Sequence, residues 1–161
     1  MAEQNVVHTQ GTRLYVVDTS GATPKLAQID CVKSITGLGS GTSSKIDVTR
    51  LSDTGSRRQV SGLSDPESIS IPYQFDTSEN NHQLFEKLKG KNVQWMFLMS
   101  DGDGVPTLVT STGKMTAPTT RTGASFVGFI EANAIELAEN EVVRGTLTIA
   151  RSGNIEYSYK A

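Results

Sequence analysis

Residues 124–151, ASFVGFIEANAIELAENEVVRGTLTIAR, decide the architecture. Residues 124–137 and 141–151 are two runs rich in β-branched and aromatic residues, joined by Ala138, Glu139 and Asn140, so they read as the long paired strands of one hairpin. In the second run Val143, Leu147 and Ile149 fall on one face and Arg144, Thr146 and Thr148 on the other. That period of two marks a sheet with one dry side and one wet side. A lone hairpin cannot bury its apolar face in water, so the rest of the chain must supply more strands.

Further strands are legible on both sides. Residues 154–160 (NIEYSYK) are expected to close the sheet, and residues 92–100 (NVQWMFLMS) form a largely apolar strand holding Trp95, stopped by the turn signal Asp101-Gly102-Asp103-Gly104. Residues 105–123 read as a Thr-rich hairpin or irregular excursion. Residues 67–75 (ESISIPYQF) alternate, with Ile69, Ile71, Tyr73 and Phe75 opposite Ser68, Ser70, Pro72 and Gln74. Pro72 lacks an N–H and places this strand at an edge or a bulge. Residues 76–90 then change period. Cap-type Asp76, Thr77 and Ser78, early Glu79, apolar Leu84, Phe85 and Leu88, late Lys87 and Lys89 and terminal Gly90 predict the one helix, its apolar stripe in the core with Trp95.

Towards the N-terminus, RLYVVD (13–18) is a short strand closed by turn residues 19–24, and KLAQIDCVKSIT (25–36) a longer one. Its Ala27, Ile29, Cys31 and Ile35 share a dry face that puts Cys31 in the core. Residues 1–11 lack a period and read as a flexible arm. Residues 36–66 read as one long loop region: Gly/Ser-rich GLGSGTSS, a short strand at 45–51, then a polar stretch. Such a length inside a compact domain is functional or disordered, and something outside the domain is expected to order it. It carries the local basic cluster Lys45, Arg50, Arg57 and Arg58, suited either to solvent or to an acidic patch on another subunit. The total is about eight strands and one helix in a single domain, 1–161.

Composition narrows the function. The chain has 161 residues and a mass of 17.3 kDa, enough for a self-sufficient core burying roughly 70% of its unfolded surface. No window approaches the ~20 apolar residues of a membrane span, which excludes membrane insertion. A formal charge of −2 leaves no basic excess for gripping a phosphate backbone. The N-terminus has no signal pattern and the lone Cys31 cannot form an intrachain disulfide, so the chain reads as made in the cytosol. Gly37, Gly39 and Gly41 lead into no helix and lack the Lys-Ser/Thr of a phosphate loop. The two carboxylates of the Asp101–Asp103 turn fall short of a calcium loop, and His8 and His82 sit far apart. No catalytic, cofactor-binding or metal residues are expected, and the protein is read as a non-enzyme.

The order of elements after Glu67 is an alternating strand, a short helix, an apolar strand ending in Asp-Gly, Phe126-Val127-Gly128-Phe129-Ile130, a polar tip, and a strand closing in Ala150-Arg151-Ser152-Gly153. With the early Gly11-Thr12-Arg13-Leu14-Tyr15-Val16 and the lead into a long loop at Ile35–Gly37, this resembles the major tail tube proteins of long-tailed, non-contractile (siphovirus) bacteriophages. Gly128 and Gly153 match the family's glycines; residues 105–123 are longer than the usual hairpin.

The resemblance implies a mainly β fold, a β-sandwich or small barrel flanked by one α-helix and shared with type VI secretion tube proteins. It implies hexameric rings stacked into the virion's tail tube, a conduit for genome delivery, made in the host cell cytoplasm. Its partners would be further copies of itself and tape-measure, tail-tip and tail-terminator proteins, with DNA passing unbound and no membrane anchoring. The polar strand faces then offer Gln28, Asp30, Ser68, Ser70, Glu131, Thr146 and Thr148 as lumen-facing candidates, and Lys45, Arg50, Arg57 and Arg58 as inter-ring contacts. A rival reading is a stand-alone β-sandwich module that binds a carbohydrate or a protein, which would want an exposed aromatic platform.

Overall fold

The computed structural model describes residues 6–39, 41–77 and 80–161. The described strands are β1 (Arg13–Asp18), β2 (Lys25–Ile29), β3 (Thr42–Asp47), β4 (Gln59–Asp65), β5 (Ile69–Gln74), β6 (Val93–Leu98), β7 (Thr107–Val109), β8 (Lys114–Thr116), β9 (Gly123–Glu136) and β10 (Arg144–Ser158), with helix α1 (Asn80–Leu88) between β5 and β6. Six strands form one antiparallel sheet in the order β2-β1-β6-β9-β10-β5; β3–β4 and β7–β8 are separate two-stranded ribbons. The architecture is a mainly β, curled sheet flanked by one short helix.

The sheet curls because its first and last strands serve the same core. Leu14, Val16, Ala27, Ile29, Ile69, Ile71, Tyr73, Val93, Trp95, Phe97, Phe126, Ile130, Leu147 and Ile149 all face inward. Helix α1 closes the concavity, packing on β9 and β2 through Leu84, Phe85 and Leu88. Trp95 is fully buried, its indole N–H donating to the Gly128 carbonyl at 3.3 Å. His82, also buried, lies against Tyr73 and Phe85; its Nδ1 accepts the Asp76 N–H (3.0 Å) and its Nε2 lies 3.0 Å from the Asp30 carbonyl. The helix is shorter than the predicted 76–90: Asp76 and Thr77 precede it, and Ser78 and Glu79 lie outside the described residues.

Two strands are apolar on both faces, and a second small core explains them. Tyr15, Val17, Met96 and Leu98 point away from α1 and are covered by Met115 of the β7–β8 ribbon. The Gln94 side-chain amide clamps that ribbon to β6, donating to the Met115 carbonyl and accepting its N–H at 2.7 Å. The Thr-rich excursion is therefore a lid over β1 and β6.

Three expectations change. The predicted strand at 25–36 breaks after Ile29, and Cys31 is exposed with φ +62, not buried. The chain must leave β1 there to cover the outer side of β5: Gln74 donates to the Cys31 carbonyl, Lys33 to Pro72, and Thr36 and Ser70 exchange bonds. The Pro72 carbonyl points outward to Lys33, so its nitrogen points outward too and no bond to β10 is lost. The long loop region contains β3 and β4, paired as a hairpin, where only a short strand at 45–51 was predicted. Residues 154–160 are not a separate strand: β10 runs through to Ser158 across a register shift between Ser152 and Glu156, where Gly153 takes φ +86.

The arm and the C-terminus are tied to the sheet. Arg121, 3% exposed, donates to the carbonyls of Met99 (2.8 Å), Gly104 (3.2 Å), Gly11 (3.1 Å) and Leu98 (3.2 Å). The Ser100 hydroxyl donates to the His8 carbonyl. Asp101 accepts the Thr122 hydroxyl and N–H, which hold its carboxyl below the usual range, and the Lys160 amine donates to the Asp101 carbonyl.

Arg121→Met strands the carbonyls that Arg121 serves and is expected to lower the unfolding free energy by about 2–4 kcal/mol in urea titrations. Phe85→Ala and Leu88→Ala, which empty core volume under the sheet, are expected to cost about 2–5 kcal/mol each; unchanged melting would contradict their packing role.

Candidate lumen and assembly surfaces

Beyond the β7–β8 lid, the outer face of the sheet is bare. Across β5, β10 and β9 the register sets Ser70 beside Thr148 and Ala132, Pro72 beside Thr146 and Ala134, and Gln74 beside Arg144 and Glu136. The intervening rows, Ile71–Leu147–Asn133 and Ile69–Ile149–Ile130, turn to the core. Ile149 pairs with Ile130 and Thr148 with Ala132, so Glu131 is the extra residue of a bulge and is exposed. Tyr73 sits on the buried side. Burial raises its phenol above the ordinary value and keeps it protonated to donate to Asn133 Oδ1 at 2.7 Å.

The structure thus gathers Ser70, Thr146, Thr148 and Glu131 on one open surface, with Ser68 just before β5 and exposed. Gln28 and Asp30 stand at the opposite end of the sheet, bonded to each other through Gln28 Nε2 and Asp30 Oδ1 at 2.8 Å. The small Ala132 and Ala134 on the same surface escaped the sequence reading, as did exposed Val127 and Phe129 farther down β9. Alternation along β9, counted through the bulge, is the signal that would have found them.

The sheet also ends unevenly. β5 covers β10 only from Arg144 to Ile149, which among the described residues leaves the far half of β10 paired on the β9 side alone. β6 covers β9 from Gly123 to Gly128, and past the bridge from Lys89 to Ile130 the upper half of β9 pairs with β10 alone. These open half-edges expose backbone donors and acceptors on both sides of the bare face.

The β3–β4 hairpin stands away from the sheet, every residue of β3 exposed. Its tip is knitted by Asp53, which accepts the Arg50 N–H at 2.9 Å and lies 3.9 Å from Arg58 Nε. Asp47 accepts the Thr49 hydroxyl and N–H, which lower its carboxyl pKa. Lys45 projects from β3, while Arg50, Arg57 and Arg58 crowd the tip. The alternation of 45–51 puts Ile46 and Val48 on one face, but sequence reasoning missed their partner strand with Val60 and Leu63. Ile46 pairs with Val60, and Leu51 and Leu63 are almost fully exposed, so the hairpin presents oil as well as charge.

Residues 5–161 match the family of phage tail tube proteins, TTP, lambda-like. "Structural protein 3" of Pseudomonas phage PAJU2 is 31% identical over 158 residues, spanning 95% of this chain and 94% of that protein. The SPP1 tail tube, solved by solid-state NMR and cryo-EM, superposes with a TM-score of 0.66 at 10% identity, covering 96% of this chain and 80% of that one. A chain of the anti-feeding prophage baseplate, reconstructed with 6-fold symmetrisation, gives 0.64 at 8% identity over 99% of this chain and 98% of that one. The two structures share the fold, and the sequence matches carry the assignment: the chain belongs to the lambda-like phage tail tube family and is a structural component of the bacteriophage virion.

Proposed function

We propose that six copies of this chain close into a ring, that rings stack into the tail tube, and that the bare face of β9, β10 and β5 lines a lumen through which the genome reaches the host. The observation that carries this reading is a six-stranded sheet with its inner face covered and its outer face, where β9, β10 and β5 run together, left open, small and polar between unpaired half-edges. A solitary domain would cap those edges; a ring pairs them with a neighbour and turns an aggregation hazard into a defined interface. Sixfold closure is supported by the symmetry of the baseplate that contains a chain of this fold. The role is structural, without turnover of a substrate.

The wall suits passage. Ser68, Ser70, Thr146 and Thr148 are neutral and Glu131 and Glu136 acidic, while Arg144 is paired with Glu141. Duplex DNA carries one charge per ~1.7 Å, so a cationic wall would hold it by counterion release and this wall lets it slide. Gln28 and Asp30 join the lumen only where the β2 end of the sheet reaches it.

The β3–β4 hairpin, together with the N-terminal arm, makes the ring-to-ring contacts in this reading. A two-stranded ribbon is marginal alone in water, and this one keeps Ile46, Val48, Leu51, Val60 and Leu63 uncovered by its own subunit. An adjacent ring would cover them, with Lys45, Arg50, Arg57 and Arg58 meeting acidic side chains at the rim. Tape-measure, tail-tip and terminator proteins would engage the tube ends. The rival reading, a monomeric carbohydrate- or protein-binding module, draws on the exposed, stacked pair Tyr157 and Tyr159 with ring centroids 6.3 Å apart.

Three outcomes follow. Purified protein is expected to form hollow filaments in negative-stain images, whereas a monomer at all concentrations that retains glycans or peptides would favour the rival. Deleting residues 42–65 and joining the ends with a short Gly/Ser turn is expected to leave the melting temperature near wild type and abolish stacking; full-length tubes from this variant would overturn the inter-ring role. Tubes carrying Glu131→Lys, Thr146→Lys and Thr148→Lys together are expected to retain DNA at low salt and release it over roughly 50–200 mM, as wild-type tubes do not.

A further inference from the structure

Two arginines are buried in this fold, and only one is provided for. Arg121 and Arg151 are 3% and 7% exposed. Arg121 spends its guanidinium on four backbone carbonyls of its own chain. Arg151 has Nε, Nη1 and Nη2 all buried and, among the described residues, none with a hydrogen-bond partner. A guanidinium does not shed its proton at any accessible pH, so it cannot escape the cost of burial by becoming neutral.

Its position says where an acceptor would come from. Arg151 follows Leu147 and Ile149 on the inward parity of β10 and pairs with Gly128 of β9. A Cβ at Gly128 would lie 2.7 Å from the Ala150 carbonyl and 2.9 Å from Ile149 Cγ2, so the two strands meet closely there. Two residues before Arg151, β5 stops opposite Ile149, and from that point one side of β10 has no strand neighbour among the described residues. The unmet cation thus sits at the beginning of an open half-edge.

We propose that Arg151 is a docking point for a carboxylate of an adjoining copy of this chain. The guanidinium swings on its methylene stem from the core to the open side of β10 as the neighbour seats. The proposal rests on the tube reading and adds a named contact to it. A second copy is the occupant favoured by charge: Glu131, Glu136, Glu139 and Glu156 of the β9–β10 hairpin are exposed, and the ion pairs among the described residues, Arg58–Asp53 and Arg144–Glu141, use none of them. A carboxylate also matches the planar fork of Arg with two parallel bonds, which a single water does not. Before assembly the unmet charge weighs on the free subunit, and closure of the ring removes that penalty.

The test compares full-length wild type with Arg151→Met, Arg151→Lys and Arg151→Glu by thermal melting of the unassembled subunit and by the concentration at which tubes appear in sedimentation and negative stain. Methionine has similar length and needs no acceptor. Arg151→Met is expected to melt at or above the wild-type temperature yet need about ten-fold or more protein to form tubes, the scale of one interfacial charge pair. Arg151→Lys, a point charge without the fork, should fall between. Arg151→Glu should fail to assemble until one of Glu131, Glu136, Glu139 or Glu156 is changed to Arg in the same chain. Tubes of Arg151→Met at the wild-type concentration would overturn the proposal, as water or a solvent anion would then suffice. So would a loss of melting temperature that accounts for the loss of tubes, which marks a purely structural arginine. Wild-type chains that stay monomeric throughout would instead overturn the tube reading, and the partner named here with it.

Discussion

The register between β9 and β10 is the constraint on which the molecule depends. From Phe126 to Ile130 and from Gly145 to Arg151 every second residue turns to the core, and a slip by one would bring Thr146 and Thr148 inside and put Leu147 and Ile149 in water. Burial of Leu147 and Ile149 against Ile69, Ile71 and the α1 stripe therefore holds the pairing in a single alignment. The same alignment places the bulge at Glu131 and sets Ser70, Thr148 and Ala132 in a row. Core packing on one side of the sheet is what arranges the proposed lumen surface on the other.

The two faces are treated differently along the sheet. Over β1 and β6 both are apolar, because the β7–β8 lid adds a second core around Tyr15, Met96 and Met115. Where β9, β10 and β5 run side by side the described residues leave the outer face uncovered, and its side chains are small or polar. A tube wall needs this combination: rigidity from a doubly covered half and a smooth, hydrated surface on the other. The uncovered half-edges fall on the uncovered half, where a neighbouring sheet would continue the surface without interruption.

Two segments that look like accessories carry surface that their own subunit leaves exposed. The β3–β4 hairpin folds on its own ladder and its Asp47 and Asp53 turns, yet shows its aliphatic side chains to solvent. The N-terminal segment is held at two points, His8 through Ser100 and Gly11 through Arg121, and stays exposed between them. In the proposed tube both would gain packing from an adjoining subunit.

Much of the fold was written in local pattern. Strict alternation in 69–75 and 144–149, the i, i+1, i+4 stripe of Leu84, Phe85 and Leu88, and the Asp-Gly turns mark elements whose neighbours are adjacent in sequence or whose burial has a clear period. The family, too, was legible from the order of those elements. Other features depend on partners far away in the chain. Cys31 leaves its strand because residues 31–36 are recruited to β5, some forty positions on, and no nearby residue signals that. The polar sequence 59–65 became a strand because β3 offers it a ladder, since pairing satisfies backbone groups whatever the side chains are. The buried state of Arg151, and which half of each long strand is left unpaired, follow only from where β5 and β6 stop. Period and turn chemistry are local energies and can be read from the chain; the ends of non-local ladders are decided by which distant strand arrives, and only the folded structure settles that.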